Sequence, residues 1–593
     1  VVYVFSGTRV CRTAPVRLLA APLLCLVLAG CFDRPASSGL DPRDYPDVLD
    51  LRGLPDSAFD ASSYAFADLG AWHMFGLAGE ETGPSAGGFS GPLLLSDGGR
   101  WLGRSLVGLR VWPEGSEEPL VWQVARGGGG TSFPGSLRQE LNGGDLGGTV
   151  DLIFVSDRSA LVRAVVTNRG QGARSLSLGW SGDASLTPSR ITPRGGGVRV
   201  AVTGSNTVLD LSVPESTGWL ARRLPGTSYV LRSPPRLVQP GAEVTSFLLV
   251  SAYENLSVLG RDQSRRDTLL ADAVGQMDEQ AGRWGEYLTA VLSRLPAQSP
   301  VEHRRIAVKA VQTLMTNWRG PMGHLTRGGL FPSYAYRGFH GVWSWDSWKH
   351  ARALALFAPE LAKDQVRAML VRQNSDGMIP DVIYADSTED NWRDSKPPLA
   401  GWAVAGIFHA TGDTAFVQEV LPGLAAYHAW WYSHRDADAD GLCEFGSSDG
   451  TRIAAAWESG MDNAVRFDSA AMVRGRPGAW SFDQESVDLN AYLYAEKGYL
   501  ASLFDAVGQS LEAEAYRQGA RDLAKKMRDS MFDRRTGYFY DVRMESGEPI
   551  LIQGPEGWIP LWAGVATPAQ AGRVAAVMMD PERFFSPVPL PTL

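Results

Sequence analysis

Two different spacings of apolar positions divide the chain. From about residue 45 to 260, short runs such as "SLVGLRVW", "PLVWQVARG", "TVDLIFVSD", "ALVRAVVTNRG", "SLSLGWSGD", "GVRVAVTG", "SYVLRSP" and "VTSFLLVSAYE" are separated by Gly, Pro, Asn and Asp turns. Short alternating runs at this spacing predict an antiparallel β-sandwich. Near residue 262 the period lengthens: Leu269, Leu270, Ala273, Val274, Met277, Ala281, Trp284, Leu288, Val291 and Leu292 recur at three and four, which predicts one long amphipathic helix over 269–295. Helical segments follow at about 301–318, 347–373, 398–433, 486–530 and 558–579, several of them broken in two by Pro, Gly or Asp. Long loops rich in Gly, Trp and Asp lie between them. Paired helices with alternating short and long connections predict a helical toroid whose functional loops gather at one end.

Length and composition refine this picture. A chain of 593 residues exceeds one compact core, so two or more domains are expected. The formal net charge of −9, without a run of Lys or Arg, argues against a nucleic-acid partner, since phosphate binding needs a basic face. The 19 Trp are more informative, because aromatic faces suit the CH faces of sugar rings as well as large cores. Arg9, Arg12 and Arg17 precede the apolar run "LLAAPLLCLVLAG" at 18–30, and then comes Cys31. That is the pattern of an export signal, and "LAGC" is similar to a bacterial lipobox in which Cys31 is lipidated. The expected division is a signal over 1–31, a tether over 32–44, a β-sandwich over 45–262 and a helical catalytic domain over 263–593. The protein would then sit in the bacterial cell envelope, touching a membrane only through its lipid, with no protein partner implied. Of four Cys only Cys443 lies in the body, so no disulfide is expected there, and the eight His show no HExxH spacing that would hold a catalytic zinc.

Four segments carry candidate chemistry: "GVWSWDSWKHA" (341–351), "SKPPLAGWAV" (395–404), "WESGMDNAVRFD" (457–468) and "GPEGWIPLWAGVAT" (554–567). In this order they resemble the active-site segments of glycoside hydrolase family 63, and more distantly those of trehalases, where the stretches read approximately Trp-Asp-Ser-Tyr, Ser-Gln-Pro-Pro, Glu-Ser-Gly-Trp-Asp and Pro-Asn-Gly-Trp-Ala-Pro. The resemblance covers most of residues 300–570. It implies an (α/α)6 barrel and inverting, exo-acting hydrolysis of α-glycosidic, commonly α-glucosidic, bonds in oligosaccharides. The general acid then falls on Asp462. Glu458, four residues before it, either keeps the Asp462 pKa high or binds a sugar hydroxyl. By the same resemblance Asp346 bonds sugar hydroxyls between walls of Trp343 and Trp345, with Lys349 beside them, although an Asp there could equally cap the following helix. Trp558 is a substrate wall or a core residue, and Arg466 orients a carboxylate.

A separate acidic loop, "RDADADGLCEFG", spaces Asp436, Asp438, Asp440 and Glu444 like early calcium ligands, with the Leu442 carbonyl available and Gly441 allowing the turn. Position 12 of a full EF-hand loop would be Ser447, so the match is partial. Family 63 members carry a similar loop, which implies a structural Ca2+. An inverting enzyme also needs a carboxylate base, which the resemblance places beyond all four motifs. The barrel is therefore expected to be incomplete at its C-terminal side, with the base beyond residue 593, or else with Glu458 or Glu485 in that role. Two alternatives remain at this stage: a trehalase or mannosylglycerate-type hydrolase on the same scaffold, and a catalytically silent carbohydrate-binding lipoprotein.

Overall fold

A computed structural model describes residues 40–78, 86–125, 130–214, 218–476 and 478–590. The signal, Cys31 and most of the tether lie outside the described residues. All eight runs quoted above form strands, and they assemble into two antiparallel sheets. Among the described residues, one sheet has eight strands, with Gly88–Leu94, Val107–Pro113, Arg174–Asp183 and Ser228–Arg232 along its middle. The other has nine, in which Val208–Ser212, Glu243–Tyr253, Ser159–Asn168, Leu146–Ser156 and Ser136–Gly143 lie side by side. Alternate side chains such as Leu109, Leu178 and Trp180 from the first sheet, and Val162, Val166, Leu248 and Val250 from the second, are fully buried in a shared core.

The helices begin with α1 (Leu256–Arg261), α2 (Gln263–Ala271) and α3 (Ala273–Leu292). The long helix expected over 269–295 is thus broken at Asp272, which stands between α2 and α3 with φ −113° and ψ 38°. The apolar spacing runs unbroken through that residue, so the break leaves no mark on the pattern. α3 docks on the sheets through polar anchors: the Trp284 indole donates to Asp68 at 2.7 Å, Arg283 pairs with the same carboxylate at 2.6 Å, and Gln280 donates to the Gly135 carbonyl at 2.6 Å. Gly135 has φ +84°, and a Cβ there would sit 2.1 Å from Gln280 and 2.3 Å from Trp284, so a glycine is required for this close approach.

The following helices are α4 (Val301–Asn317), α5 (Ser344–Leu354), α6 (Pro359–Leu370), α7 (Ala400–Thr411), α8 (Thr414–His434), α9 (Arg452–Glu458), α10 (Val487–Ala506), α11 (Ser510–Ser530), α12 (Ile559–Ala563) and α13 (Pro568–Met578). Pro359 starts α6, Asp413 caps α8 by accepting from Phe416 N, and Gly412, Gly508 and Gly564 supply the left-handed turns after α7, α10 and α12. Sequential pairs α5/α6, α7/α8 and α10/α11 pack on each other, while α5, α7, α10 and α12 also pack in succession. The first helix of each pair is therefore an inner one, and the second covers it. This antiparallel β architecture followed by paired α/α helices is the one expected. The loops before α5, α7 and α12, and the long α8–α10 connection, carry the four motifs. They meet at the N-terminal end of the inner helices.

Candidate active site

Residues 457–462 are not one helix. α9 ends at Glu458, Ser459 bonds back to the Ala456 carbonyl at 2.6 Å, and Gly460 turns the chain with φ +69°. The i,i+4 geometry that would bring Glu458 and Asp462 together is lost at that turn. Glu458 is fully buried, and its carboxylate accepts from Arg435 Nε at 2.7 Å and Nη2 at 2.8 Å, from Ser395 N at 3.1 Å and from Gly446 N at 2.6 Å. Both oxygens are committed. The structure thus corrects the expectation for Glu458 as a sugar ligand, as a base or as a side-chain partner of Asp462: it ties the "SKPP" segment, Arg435 and the Gly446 strand together. Asp462, by contrast, is exposed and lines a cleft of about 210 Å³ with Met461, Arg466, Ile552, Gly554 and Glu556.

Trp345 forms the contact between the first and third motifs. A Cβ on Gly460 would lie 2.4 Å from its ring, so glycine lets the two loops close on each other. The Lys349 ammonium sits 3.2 Å from the Trp345 ring centroid, a cation–π contact. Lys349 is solvent-exposed overall, yet desolvation by the surrounding protein lowers the pKa of its ammonium, against the attraction of Asp346. Asp346 lies in the first turn of α5, where Trp343 holds the cap position and no side chain makes a capping bond. Capping does not account for Asp346. Burial raises its pKa, opposed by Lys349 and Lys396. Trp343 pairs by backbone with Val382 and meets Phe339 edge-to-face at 5.6 Å.

A carboxylate pair that the sequence reading left unassigned lies behind this loop. Asn391 donates to Asp381 at 3.0 Å and to Asp394 at 2.9 Å, and Lys396 stands 3.4 Å and 3.7 Å from their other oxygens while donating to the Trp457 carbonyl. Burial pushes Asp381 up to about 6, and burial together with the Asp381 charge pushes Asp394 up to about 8. Lys396 occupies the place of Gln in the resembling Ser-Gln-Pro-Pro stretch. The available signal was the departure itself, "DSKPP", with two acids upstream.

Arg466 is buried and pairs with Asp488 at 2.8 Å and with Asp541 at 3.1 Å, so it organises carboxylates in the wall of the cleft. Those anions and Glu556 hold its pKa well above the ordinary value against desolvation. Glu556 is pushed up to about 7 by burial, with Arg466 opposing and Asp541 adding to the rise. Trp558 is half-buried and packs edge-to-face on Phe584 at 5.1 Å, a core contact.

In the acidic loop, Asp436, Asp438 and Glu444 each place one carboxylate oxygen within 4.8 Å of the others, and Asp438, Asp440 and Glu485 do the same. Ala439 (φ +61°) and Gly441 (φ +88°) fold the loop back. Leu442 is buried, with its N–H on Asp440 at 2.7 Å, and Lys526 pairs with Asp440 at 2.7 Å. Glu444 Oε1 and Glu485 Oε2 are buried and accept no hydrogen bond. Burial and mutual repulsion raise Glu444 strongly, and burial with the loop aspartates raises Glu485 to about 8. Two such oxygens facing three aspartates need protons or a cation, and the all-oxygen donor set fits calcium. Glu485 was not among the expected ligands. Its place here, turned toward the loop, also corrects its candidacy as base. Ser447 spends its hydroxyl on the Thr451 carbonyl.

Comparison with known proteins agrees with the class that this site suggests. Residues 339–593 match the profile "Mannosylglycerate hydrolase MGH1-like glycoside hydrolase domain", and residues 56–190 match "Glucosidase YgjK, N-terminal". A mannosylglycerate hydrolase of Thermus thermophilus is 25% identical over 342 residues, covering 47% of this chain and 77% of that protein. Mannosylglycerate hydrolase MGH2 of Selaginella moellendorffii is 23% identical over 301 residues, covering 40% of this chain and 60% of that one, and human trehalase is 24% identical over 277 residues, covering 40% and 44%. A solved structure of a family 63 mannosylglycerate hydrolase from Thermus thermophilus, in complex with glucose, aligns at 21% identity and a TM-score of 0.36, covering 46% of this chain and 74% of that one. The chain is a glycoside hydrolase. Residues 339–593 thus resemble the mannosylglycerate hydrolase-like glycoside hydrolase domain, and trehalases are also among the proteins similar to this chain.

Proposed function

We propose that the chain hydrolyses α-glycosidic bonds of oligosaccharides with inversion, acting from the chain end, with Asp462 as general acid. The observation that carries this is the exposed Asp462 carboxyl on a turn closed against Trp345, in a cleft whose wall includes the buried Arg466 and Glu556. Asp462 donates its proton to the leaving oxygen as the glycosidic bond breaks, while Trp345 and Trp343 flank the sugar and Asp346 and Lys349 hold its hydroxyls. Arg466 stays off the substrate and fixes the wall. The names of the relatives include mannosylglycerate hydrolases, a glucosidase and a trehalase, so α-mannosylglycerate, trehalose and α-linked glucose disaccharides are the compounds to compare. Incubating the protein with each, and following the anomer first released by NMR, tests both sugar and stereochemistry. Release of the retained anomer, or turnover by Asp462→Asn at the wild-type rate, defeats the assignment.

The acidic loop is proposed to hold a structural Ca2+ through Asp436, Asp438, Asp440, Glu444, Glu485 and the Leu442 carbonyl. Bound there, the ion would supply charge neutralisation for buried carboxylates and pin the loop ahead of α9. Export and lipidation at Cys31 are likewise proposed, tested by incorporation of labelled fatty acid and its loss in Cys31→Ser. No helix among the described residues is long and apolar enough to cross a membrane.

A further inference from the structure

Immediately before the first motif, residues 334–340 hold aromatic side chains in solvent. Tyr336 is 63% exposed and Phe339 is 38% exposed. Single exposed aromatics are ordinary, but these two are joined to each other and to the site. The Tyr336 and Phe339 rings meet edge-to-face at 5.1 Å, Phe339 meets Trp343 edge-to-face at 5.6 Å, and two residues on Trp345 reaches the Gly460 turn beside Asp462. Three rings thus touch in succession, and the fourth, two residues on, packs on the turn that carries the acid.

The segment is held firmly at both ends. The Tyr384 hydroxyl donates to the Gly338 carbonyl at 2.9 Å, the His340 ring bonds the Tyr334 carbonyl at 2.8 Å and stacks on Phe331, and Ala65 N donates to the Tyr334 hydroxyl at 3.0 Å. Tyr334 thereby fastens the segment to the β half. Residues of the same segment, Tyr334, Arg337 and His340, line a second cleft of about 150 Å³ together with Phe59, so both halves of the protein contribute to it. Arg337 enters no ion pair among the described residues, leaving its donors available. Flat apolar faces beside hydrogen-bond donors, preorganised and joined through Phe339 to Trp343 of the first motif, match the alternating CH faces and hydroxyls of a sugar chain.

We infer that residues 334–340, with Phe59, form an extended subsite for the distal sugar units of the oligosaccharide whose terminal sugar is cleaved at Asp462. Because the outermost sugar enters the cleft at the acid, the track holds the leaving-group side of the chain. It rests on the function proposed above, and it adds a length preference that a disaccharide hydrolase lacks.

The test uses the full chain, with maltose and maltopentaose as one pair of probes and α-1,2-linked mannobiose and mannopentaose as the other. Binding to the Asp462→Asn protein is measured by ligand-observed NMR, and turnover by the wild type is measured beside it. In one series the pentasaccharide is expected to bind about tenfold tighter than the disaccharide. Tyr336→Ala/Phe339→Ala erases that gain and leaves disaccharide binding unchanged, and Tyr336→Leu/Phe339→Leu, which keeps apolar bulk without the rings, behaves alike. A wild type with no gain in either series, or a double variant that retains it, overturns the inference. A length-dependent gain without turnover of any α-glycoside would instead defeat the glycosidase assignment and leave the track standing. Turnover with flat length dependence would do the reverse.

Discussion

Replacing Glu458 by Gln separates a structural carboxylate from a sugar ligand. The side chain keeps its shape, and one oxygen still accepts from Ser395 or Gly446, but Arg435, itself buried, loses its counter-charge at 2.7–2.8 Å. Breaking a buried pair from one side costs about 3–5 kcal/mol, since a charge is left uncompensated away from water. The described residues lie between 40 and 590, a span of about 550 residues. At about 2.1 cal/mol/K per residue its unfolding entropy is roughly 1.2 kcal/mol/K, so about 4 kcal/mol lowers Tm by roughly 3 °C. Calorimetry at fixed pH and calcium reads that shift, and urea titration reads the free energy directly. KM for the accepted glycoside should stay within about twofold, because neither Glu458 oxygen faces the cleft. A variant with unchanged Tm and a KM raised tenfold would refute the structural role and return Glu458 to the substrate.

Asp462→Asn should leave Tm unchanged, because the side chain is exposed, and should lower kcat on the order of 100-fold or more, measured with a glycoside whose leaving group needs protonation. Gly460→Ala places a methyl against Trp345 on a left-handed backbone, so kcat/KM should fall at least about tenfold while circular dichroism stays native. Chelation should lower Tm with little change in kcat at temperatures well below it, and Glu444→Gln/Glu485→Gln should raise stability in chelator and abolish the calcium response; an unshifted melt in both proteins would remove the ion. Glu496, on α10 and buried against the start of α7, where it accepts from Gly401 N at 2.7 Å, is pushed up to about 8 by burial. Its folded pKa lies above its unfolded one, so wild-type stability falls as pH rises from about 4.5 toward 8; Glu496→Gln should match wild type near pH 4 and exceed it increasingly up to pH 8 in urea titrations.

What the sequence conveyed follows from which contacts are local. Alternation within a strand and three-four spacing within a helix record one buried face, and the eight quoted strands and the broken helix pairs were therefore legible. Strands Gly88–Leu94 and Val208–Ser212 were not, because buried Gly and Pro in the first and the brevity of the second erase the alternation. The motif loops showed which residues gather, but not which way they face. Glu458 and Asp462 have the same chemistry four residues apart, and only the Gly460 turn sends one into the interior and the other to the cleft. Glu485 reaches the acidic loop from 41 residues away, a proximity created by the long α8–α10 connection and invisible to local spacing. The Asp381–Asp394–Lys396 cluster depends on Asn391 bridging two acids across a loop, again a tertiary fact.

The inner helices α5, α7, α10 and α12 all begin at the end where the motifs meet, so their N-terminal backbone N–H groups gather there, some already donating to carboxylates, as Gly401 N does to Glu496 and Val487 N to Asp541. Each helix start carries roughly half a positive charge, felt within about one turn. Asp346 and Asp488 lie in the first turns of α5 and α10, and Glu556 lies just ahead of α12. The backbone itself thus acts as a diffuse counter-ion for a crowd of acids that side-chain cations alone do not match in number. Such a field belongs to the fold rather than to any residue. Side-chain substitution leaves it in place, whereas a one-residue insertion at the start of an inner helix would redirect it and change the titration of several carboxyls together.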